Sequence, residues 1–412
     1  MSMRFAHMAD CHIGSWREPK LSSLSAKAFV KAVDLCIQKN ADFILISGDL
    51  FNTSLPAVDN LNTAVQKLKE LKDNDIPVYI VAGSHDYSAS GKTMLGVLES
   101  AGLVNNVVKG RIEGKKLRLD FTTDQKTGAK ICGMIGKKGM LEKKFYEDLD
   151  RESLEAEEGF KIFMFHTALT ELKPKSLEKM DSAPVSLLPK GFDYYAAGHV
   201  HEVIDKTIEG YGRIIYPGPL FPNSFRELEK LESGGFFFYE NKKTAYEPVR
   251  LLNVFPIEID CSGLSPEQIN EKLLDYANSA EFYKTIVTIR LRGTIKGGKI
   301  KDINFSDVIN LFYSKGAYFI MKNTAALCTE EFEEIKIKAE SVWETEDVLI
   351  KEHSGQGSFP ADDIKKEKEI TKNLLNILNT QKEDGETNAV FESRIRQEAE
   401  KALKEIIGEE IF

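Results

Sequence analysis

The sequence has 412 residues, of which 42% are hydrophobic and 29% are charged, and its formal net charge is −9. This length predicts two or three domains, and the negative charge argues against a surface coated in basic residues for nucleic acid but does not exclude a local basic groove. We expect a cytoplasmic protein without a membrane span, signal peptide, zinc knuckle or disulfide framework, because no apolar run reaches about eighteen residues and the five cysteines form no Cys-x-x-Cys pair.

Apolar, strand-like runs alternate with helical patterns in the first part of the chain. This alternation predicts βαβ units and a mostly parallel, buried sheet. The predicted elements are, in order, a strand at Arg4–Ala9, a helix at about Ser25–Gln38, a strand at Phe43–Ser47, a helix at about Val58–Leu71, a strand at Val78–Ala82 and a helix at about Thr93–Ala101. The runs Lys161–Phe165 and Tyr194–Ala197 are predicted to be further strands of the same sheet, and Gly234–Tyr239 to be an antiparallel strand that closes it.

The character of the sequence changes near Leu251. We predict a first domain over residues 1–250 and a smaller α+β domain over residues 251–345. In the smaller domain the apolar pattern predicts strands near Ile257–Ile259, Thr285–Leu291 and Ala317–Met321 and helices near Pro266–Ala277 and Phe305–Phe312.

The remaining segment begins with a linker. Glycine, serine and proline in Ser354–Pro360 indicate that residues 346–360 connect two folded parts. Residues 361–412 have apolar side chains at helical spacing, which predicts amphipathic helices at about Asp362–Leu378 and Phe391–Ile407. We therefore expect a helical C-terminal tail.

Most of the histidines, together with two aspartates, stand just past strand-like runs. These residues are Asp10, His12, Asp49, His85, His166, His199 and His201. The loops at the carboxyl ends of parallel strands line the ligand crevice of an α/β sheet, so we expect these side chains to converge. A single histidine after a strand is more often a hydrogen-bonded loop residue, and we interpret His7 as a core residue and His353 as a linker residue. The joint pattern of five histidines is what indicates function.

The spacing of these residues indicates metal binding. Side chains two residues apart in an extended segment share a face, so Asp10 with His12, and His199 with His201, can each hold one ion. Carboxylate and imidazole ligands without thiolate suit manganese, iron or zinc. The ligands are too many for one ion, whereas two ions that share one carboxylate would use them all. Paired ions stabilise the attacking and leaving oxygens in phosphodiester hydrolysis, so the sequence predicts a two-metal phosphodiesterase.

The ordered motifs resemble those of the calcineurin-like metallophosphoesterases. They are Asp10-Cys11-His12, Gly48-Asp49, Gly83-Ser84-His85-Asp86, His166 and Gly198-His199-Val200-His201. The stretches FAHMADCHIG, ISGDLFN and YYAAGHVH, followed by YPGPL, are most similar to the SbcD-type DNA repair nucleases. Those are relatives of the meiotic recombination nuclease that partners a coiled-coil, SMC-like ATPase. The resemblance implies an α/β fold with a metallophosphoesterase β-sandwich flanked by helices, a smaller α+β capping domain that binds DNA, and a helical tail that docks on the ATPase.

The resemblance also implies which residues hold two divalent ions, with Mn²⁺ as the expected metal. One ion would be held by Asp10, His12, Asp49 and His201, and the other by Asp49, Ser84, His166 and His199. The family usually has asparagine where this chain has Ser84. A serine hydroxyl is shorter and a weaker donor, so we expect it to reach the ion only through water.

Three further residues are assigned by the resemblance. His85 would lie near the scissile phosphate, where it would stabilise the transition state or protonate the leaving oxygen. Asp86 would orient His85 or its loop, and a purely structural role for it is equally open. Asn52 would either hydrogen-bond to bound DNA or shape a turn.

The leading hypothesis is a manganese-dependent DNA exonuclease, with endonuclease activity left open, that processes double-strand break ends together with an SMC-like ATPase. We expect a homodimer, formed through helices of the first domain and associated with the nucleoid in the cytoplasm. One alternative is a DNA-end binding scaffold of the same complex, in which Ser84 has weakened or abolished cleavage. Another is a different phosphodiesterase on the same fold, which would leave the extra domain and the tail unexplained.

Overall fold

The computed structural model describes residues 3–88, 93–136, 143–178, 180–329, 364–380 and 388–407. The chain forms two compact units, Met1–Glu330 and Glu331–Phe412. The predicted linker at residues 346–360 lies outside the described residues, as does the end of the predicted α+β domain, residues 330–345.

The strands of the described residues are β1 (Arg4–Met8), β2 (Phe43–Ser47), β3 (Val78–Val81), β4 (Asn105–Asn106), β5 (Gly110–Glu113), β6 (Lys116–Leu119), β7 (Thr122–Thr123), β8 (Lys130–Gly133), β9 (Lys161–His166), β10 (Tyr194–Gly198), β11 (Ile204–Thr207), β12 (Arg213–Tyr216), β13 (Gly234–Glu240), β14 (Lys243–Val249), β15 (Asn253–Asp260), β16 (Thr285–Ile295) and β17 (Phe319–Thr329).

The α-helices of the same residues are α1 (Pro19–Ser22), α2 (Leu24–Gln38), α3 (Val58–Asp73), α4 (Met94–Ser100), α5 (Lys143–Glu147), α6 (Arg151–Glu155), α7 (Phe225–Leu231), α8 (Pro266–Asn278), α9 (Phe305–Ser314), α10 (Ile364–Leu378) and α11 (Asn388–Ile407). Short 3₁₀ turns lie at Lys175–Leu177, Val185–Leu187 and Ile300–Asp302.

Two six-stranded sheets form within the first unit. The first has the strand order β14-β13-β1-β2-β3-β4, in which β1 to β4 are parallel and β13 and β14 close one edge in antiparallel pairing. The second has the order β11-β12-β10-β9-β8-β7, with parallel pairing from β12 to β8. All of β2 is buried, as expected for a parallel strand that is covered on both faces.

Two strands lie in a different sheet from the one predicted. The sequence places β9 and β10 with β1, and this prediction is wrong, since they pair with each other and with β8 and β12 in the second sheet. An apolar run indicates a buried strand but carries no information about its partner. The neighbours β8 and β12 have only four residues each, which is too short to show a clear period.

The two sheets face each other across a shared apolar layer. Phe5 and Leu45 of the first sheet belong to one buried cluster with Ile162, Met164 and Tyr194 of the second. Helices α2 and α3 pack on the outer face of the first sheet, and α5 and α6 pack on that of the second. The expected β-sandwich flanked by helices is present.

The last part of the first unit is a parallel three-stranded sheet, β15-β16-β17, which packs against α8 and α9. A capping box between Ser265 and Gln268 fixes the start of α8. Both β16 and β17 extend beyond the predicted strands, to Ile295 and Thr329. Exposed positions in their second halves interrupt the apolar pattern on which the prediction depends.

Helices α10 and α11 form the described part of the second unit and contact each other. They correspond to the two amphipathic helices that the sequence predicts, although α11 begins earlier, at Asn388. Among the described residues, no helix combines the length and the apolarity that a membrane crossing requires.

Candidate metal centre

All the candidate ligands follow or end strands at one edge of the sandwich. Their positions are Asp10 and His12 after β1, Asp49 after β2, Ser84 and His85 after β3, His166 at the end of β9, and His199 and His201 after β10. Within the described residues, three overlapping groups have potential ligand atoms within 4.8 Å of one another: Asp10, His12 and His201; His12, Asp49 and His85; and Asp10, Asp49 and His166. The two sheets thus bring these side chains to one place.

The loops that carry these ligands have unusual backbone conformations. Asp10, His12, Asp49 and His199 have φ values of 50°, 42°, 52° and 85°. Residues other than glycine rarely adopt positive φ, and those that do cluster at functional sites, where the surrounding structure holds them in place. Here the first two loops hold each other, because Asp10 N donates to Gly48 O at 3.1 Å and His12 N donates to Asp49 O at 2.9 Å.

One side of the site gathers Asp10, His12, Asp49 and His201. The Nε2 atoms of His12 and His201 lie 3.2 Å apart. His12 Nε2 is also 3.7 Å from Asp49 Oδ2. Burial, followed by the neighbouring charge of His201, lowers the pKa of His12 to about 4. A neutral His12 presents a lone pair beside two buried carboxylates, which is the arrangement that a cation requires.

Glu227 of α7 fixes the ring of His201, although no motif in the sequence marks it as part of the site. His201 Nδ1 lies 3.1 Å from Glu227 Oε1, and since a carboxylate only accepts, Nδ1 carries the hydrogen. His201 Nε2, 3.5 Å from Asp10 Oδ1, is therefore the nitrogen left for a metal. Burial lowers the pKa of His201, but the charges of Asp10 and Glu227 outweigh burial and raise it well above its usual value. A carboxylate behind a histidine is the common support of a metal ligand.

The other side of the site is centred on Asp49 and His166. His166 Nδ1 donates to Ser47 O at 2.8 Å, which leaves Nε2 without a hydrogen in the neutral ring. Nε2 lies 3.2 Å from Asp49 Oδ2 yet makes no hydrogen bond of acceptable geometry. Burial disfavours a charged ring, but Asp49 and Asp10 raise the pKa of His166 to about 9. The space between this nitrogen and Asp49 thus attracts positive charge.

Ser84 and His199 are placed less favourably as ligands than the other residues. The Ser84 hydroxyl donates to Asp49 Oδ2 at 3.4 Å, a long hydrogen bond. His199 donates its backbone N–H to both Asp10 carboxylate oxygens at 3.1 Å, and its ring centroid is 5.1 Å from that of His166. Burial lowers the pKa of His199 to about 4, so its ring is neutral and able to coordinate a metal.

His85 is tied to the site through its backbone, and its ring lies edge-on to that of His12, with centroids 4.8 Å apart. Its N–H donates to Asp49 Oδ1 at 2.7 Å, and its Nδ1 donates to Asn52 O at 2.8 Å. Asn52 therefore orients His85 with its backbone carbonyl. Nε2 is the ring atom that remains for a substrate, and the side chain is partly exposed.

Asp86 stabilises the backbone of the loops and makes no direct contact with the His85 side chain among the hydrogen bonds of its carboxylate. Its carboxylate accepts the N–H groups of Asp49 at 2.9 Å, Gly83 at 2.9 Å and Phe51 at 3.4 Å. Burial, followed by the charge of Asp49, raises the pKa of Asp86 to about 7, and the N–H donors oppose that rise. Of the roles considered for Asp86, orientation of the loops that carry Asp49 and His85 agrees with these contacts.

The donors of this site fit divalent cations. Buried carboxylates meet imidazole nitrogens whose other ring atoms are already bonded to Ser47 O or Glu227, and thiolates are absent from the three described groups. Oxygen and imidazole donors of this kind suit manganese, iron or zinc. Two such ions, when bound, supply an activated water and stabilise charge on phosphate oxygens.

Comparison of the sequence with known proteins assigns the chain to a family. A family model described as calcineurin-like phosphoesterase matches residues 3–203. The DNA double-strand break repair protein Mre11 of Archaeoglobus fulgidus is 27% identical over 98% of this chain and 91% of its own. The protein with the same description from Methanocaldococcus jannaschii is 30% identical over 66% of this chain and 70% of its own. The chain belongs to the Mre11 family of calcineurin-like phosphoesterases.

Membership in the Mre11 family confirms three predictions from the sequence: the resemblance to DNA repair nucleases of this type, the α/β metallophosphoesterase fold and the metal-dependent phosphodiesterase class. Divalent metal as the cofactor is likewise supported by the family and by the clustered ligands. The roles of individual residues stay predictions.

Three glycines to which the sequence assigned no role make room for His166 in this Mre11 relative. A Cβ added to Gly48, Gly136 or Gly198 would lie 2.1, 2.6 or 2.8 Å from atoms of the His166 ring, which is closer than van der Waals contact allows. Gly48 and Gly198 directly precede predicted ligands, so they could have been noticed. Gly136 lies beyond β8, which the sequence pattern did not reveal.

Proposed function

We propose that the protein is a manganese-dependent DNA nuclease that processes the ends of double-strand breaks, mainly as an exonuclease. The observation that carries the proposal is the buried pair of Asp49 and His166, whose unbonded Nε2 faces a carboxylate beside a partly exposed His85. Relatives described as DNA double-strand break repair proteins support DNA as the substrate. Such a role also fits a cytoplasmic, nucleoid-associated protein.

The residues have distinct tasks in this proposal. Asp10, His12, Asp49 and His201 hold one ion, and Asp49, Ser84, His166 and His199 hold the other. His85, with Nδ1 fixed by Asn52 O, directs Nε2 to the scissile phosphate, where it hydrogen-bonds the developing charge or protonates the leaving oxygen. Asp86 keeps the two loops in register by accepting three backbone N–H groups. The α+β domain at residues 251–345 serves as a cap that contacts DNA.

The test combines metal analysis with a cleavage assay. Purified protein would be stripped with chelator, reloaded with Mn²⁺, Mg²⁺ or Zn²⁺, and incubated with linear duplex, single-stranded and covalently closed circular DNA. We expect binding of two Mn²⁺ per chain and Mn²⁺-dependent loss of linear DNA. Asp49→Asn serves as the inactive control, because it removes the charge shared by both ions. Equal cleavage by the parent and by Asp49→Asn would show that this site is not the nuclease.

A DNA-end binding scaffold is the second candidate, and Ser84 is the observation that favours it. A hydroxyl already engaged with Asp49 at 3.4 Å is a weak replacement for an amide ligand. The scaffold hypothesis expects tight binding of DNA ends with no cleavage at any manganese concentration. Measuring DNA binding by anisotropy beside cleavage on the same substrate separates the two candidates.

The helical tail is proposed as the docking site for a coiled-coil, SMC-like ATPase. Its helix α11 has Ile395, Ala399 and Leu403 at helical spacing, and an amphipathic helix laid in a partner's groove is a common recognition mode. Deletion of the residues after Pro360 should leave a folded, metal-binding protein that no longer binds the ATPase. Leu403→Glu should reduce capture of the ATPase in a pull-down, whereas Arg396→Gln, in the same helix, should not. Undiminished capture by the truncated chain would contradict the proposal.

The same function includes a homodimer through helices of the first unit. Val58 of α3 is 79% exposed and Val97 of α4 is 59% exposed, so these apolar side chains on the helices are the ones that a second copy of the chain would cover. Sedimentation of the parent beside a Val58→Asp, Val97→Asp double variant tests this, with a shift from dimer to monomer as the expected result.

A further inference from the structure

Helix α7 connects the metal centre with the three-stranded sheet. It contacts β15 and β16 of that sheet, while Leu228 at its middle is completely buried in the core of the first sheet. Glu227, which precedes Leu228, reaches His201, and Glu229, which follows it, reaches Arg290 of β16. A helix of two turns thus carries side chains that act on both parts of the molecule.

The contact between Glu229 and Arg290 has the geometry of a strong ion pair. Arg290 Nε lies 3.0 Å from Glu229 Oε1, and Nη2 lies 2.7 Å from Oε2. The guanidinium also stacks on Phe225 of the same helix, with Cζ 5.0 Å from the ring centroid. A bidentate ion pair together with stacking restrains both the rotation and the position of the helix more than a single hydrogen bond would.

On the side facing the metal centre, Glu227 and Lys230 of α7 contact the loop that carries His201. Glu227 Oε2 accepts Asn223 N–H at 2.8 Å, and Glu227 Oε1 accepts the Ser224 hydroxyl at 3.1 Å. Lys230 Nζ lies 2.5 Å from Glu202 Oε1, and Glu202 directly follows His201. Two residues of α7 therefore contact His201 and its neighbour in sequence.

We propose that Arg290 is a positioning residue for the metal centre, which acts through Glu229 and α7 to hold Glu227 behind His201. The inference rests on the proposed function, since it takes His201 as a metal ligand. Arg290 contacts neither the metal nor the substrate in this proposal, and its effect is transmitted by the helix. The sheet β15-β16-β17 thereby contributes to metal affinity from outside the sandwich.

The expected effect is smaller than that of the direct support. Loss of a residue that directly supports a metal ligand costs about tenfold to a hundredfold in affinity. Arg290 acts one step further away, so we expect Arg290→Met to weaken Mn²⁺ binding about threefold to tenfold. Arg290→Lys keeps the charge but loses the bidentate geometry, so its affinity should lie between those of the parent and Arg290→Met.

The control is Arg292→Met, two positions further along the same strand. Arg292 pairs with Glu258 on β15 at 3.0 Å, and both side chains are more than half exposed. This variant removes an arginine and an ion pair without touching α7. Mn²⁺ affinity would be measured by isothermal titration, thermal unfolding would be followed without metal, and kcat and KM would be measured with bis-p-nitrophenyl phosphate. A purely structural role would lower the unfolding temperature and leave Mn²⁺ affinity unchanged.

A double variant tests the route. In a Glu227→Ala background the further change Arg290→Met should have no effect on Mn²⁺ affinity, because the support it acts through is gone. Equal affinity of the parent and Arg290→Met, an equal loss in Arg292→Met, or a persisting loss in the Glu227→Ala background would each overturn the inference. If Arg290→Met does not fold, Glu229→Gln is judged by the same criteria. Failure of the parent itself to bind Mn²⁺ would overturn the proposed function as well.

Discussion

The interior of β1 and the carboxyl end of β9 each hold a buried histidine, in opposite electrostatic settings. His7 is bonded to two neutral hydroxyls, with Nε2 3.0 Å from Ser47 Oγ and Nδ1 3.1 Å from Tyr194 OH. Ser47 donates its own proton to Ala196 O, so His7 Nε2–H donates to Ser47 and Nδ1 accepts from Tyr194. Burial lowers the pKa of His7 to about 3, and the ring is neutral.

His166 is equally buried but faces a carboxylate instead. Its Nδ1 is bonded to the carbonyl of the same Ser47, while its Nε2 lies against Asp49 without a hydrogen bond. Both rings have lost contact with water, so burial does not distinguish them. A buried histidine is therefore a neutral core residue when both nitrogens are bonded to neutral groups, and a candidate ligand when one nitrogen is left facing a charge.

The greatest loss of activity is expected at His85, which is partly exposed and so is neither a buried core histidine nor a buried candidate ligand. We expect His85→Ala to reduce cleavage by about a hundredfold or more, the usual cost of losing a general acid. Metal content should be nearly unchanged, since His85 is assigned to the substrate. Metal analysis and a nuclease assay on the same preparation measure both.

His7→Gln is the control for the His85 variant, because it alters a core histidine. Its cleavage rate should stay close to that of the parent. Because His85 lies in one group with His12 and Asp49, loss of metal together with activity in His85→Ala would make it a ligand and contradict the assigned role.

The second prediction concerns the support of His201. Glu227→Ala should weaken Mn²⁺ binding about tenfold to a hundredfold, because it removes the acceptor that keeps Nε2 free for the metal. Arg226→Ala is the matched control, since it changes an exposed side chain of the same helix and leaves both the Ser224 cap and the Glu227 carboxylate in place. The control should change stability and Mn²⁺ affinity little. If both variants bind Mn²⁺ equally well, the contact between Glu227 and His201 does not support a ligand.

Glu227 also shows where sequence reasoning ends. Asp10, Asp49 and His166 could be found because residues after parallel strands meet at one edge of a sheet. Glu227 lies in a helix, and its S-x-x-E setting after Ser224 predicts only a capped helix start. That its carboxylate also reaches His201 depends on how α7 packs, which is a tertiary property.

For the fold, the sequence likewise allowed the strands to be located but not assigned to their sheets. Apolar runs located β1, β2, β3, β9 and β10, because a buried strand needs such a run wherever it pairs. The division of these strands between two sheets depends on which short strands lie beside them, and the pattern of β8 and β12 is too brief to indicate it. The convergence of the site residues was predicted correctly in spite of this error, because the strand ends of both facing sheets lie at the same edge of the sandwich.

The pKa of His7 makes its contrast with the metal site measurable through the pH dependence of stability. Because the folded-state pKa of about 3 lies below the ordinary 6.5, the neutral buried ring contributes fully to stability above pH 6.5, and this contribution is lost as the pH falls toward 3. Between pH 6.5 and 5 the loss should be about 2 kcal/mol. Denaturant unfolding of metal-free parent and His7→Gln at both pH values measures it. Equal pH dependence in the two proteins would show that His7 is not the group that titrates.

A smaller effect is expected at Ser84, which allows the two sides of the metal site to be compared quantitatively. Asp10, His12, Asp49 and His201 offer two carboxylates and two imidazoles, whereas the other side must use a hydroxyl that is hydrogen-bonded to Asp49 at 3.4 Å. The first ion should therefore bind more tightly than the second, and cleavage should need a high Mn²⁺ concentration.

Replacing Ser84 by asparagine should strengthen the weaker side. The amide oxygen reaches about one bond further than the hydroxyl and is a better metal donor, so Ser84→Asn should raise cleavage at limiting Mn²⁺ by about tenfold. Ser84→Ala is the control, because it removes the hydroxyl without adding a ligand and should give no gain. The opposing expectation is that the loop has adjusted to serine with a bridging water, in which case asparagine would crowd it. Titration of Mn²⁺ into all three proteins while cleavage is followed decides between them: an unchanged or weaker response of Ser84→Asn would show that the hydroxyl is not what limits the second ion.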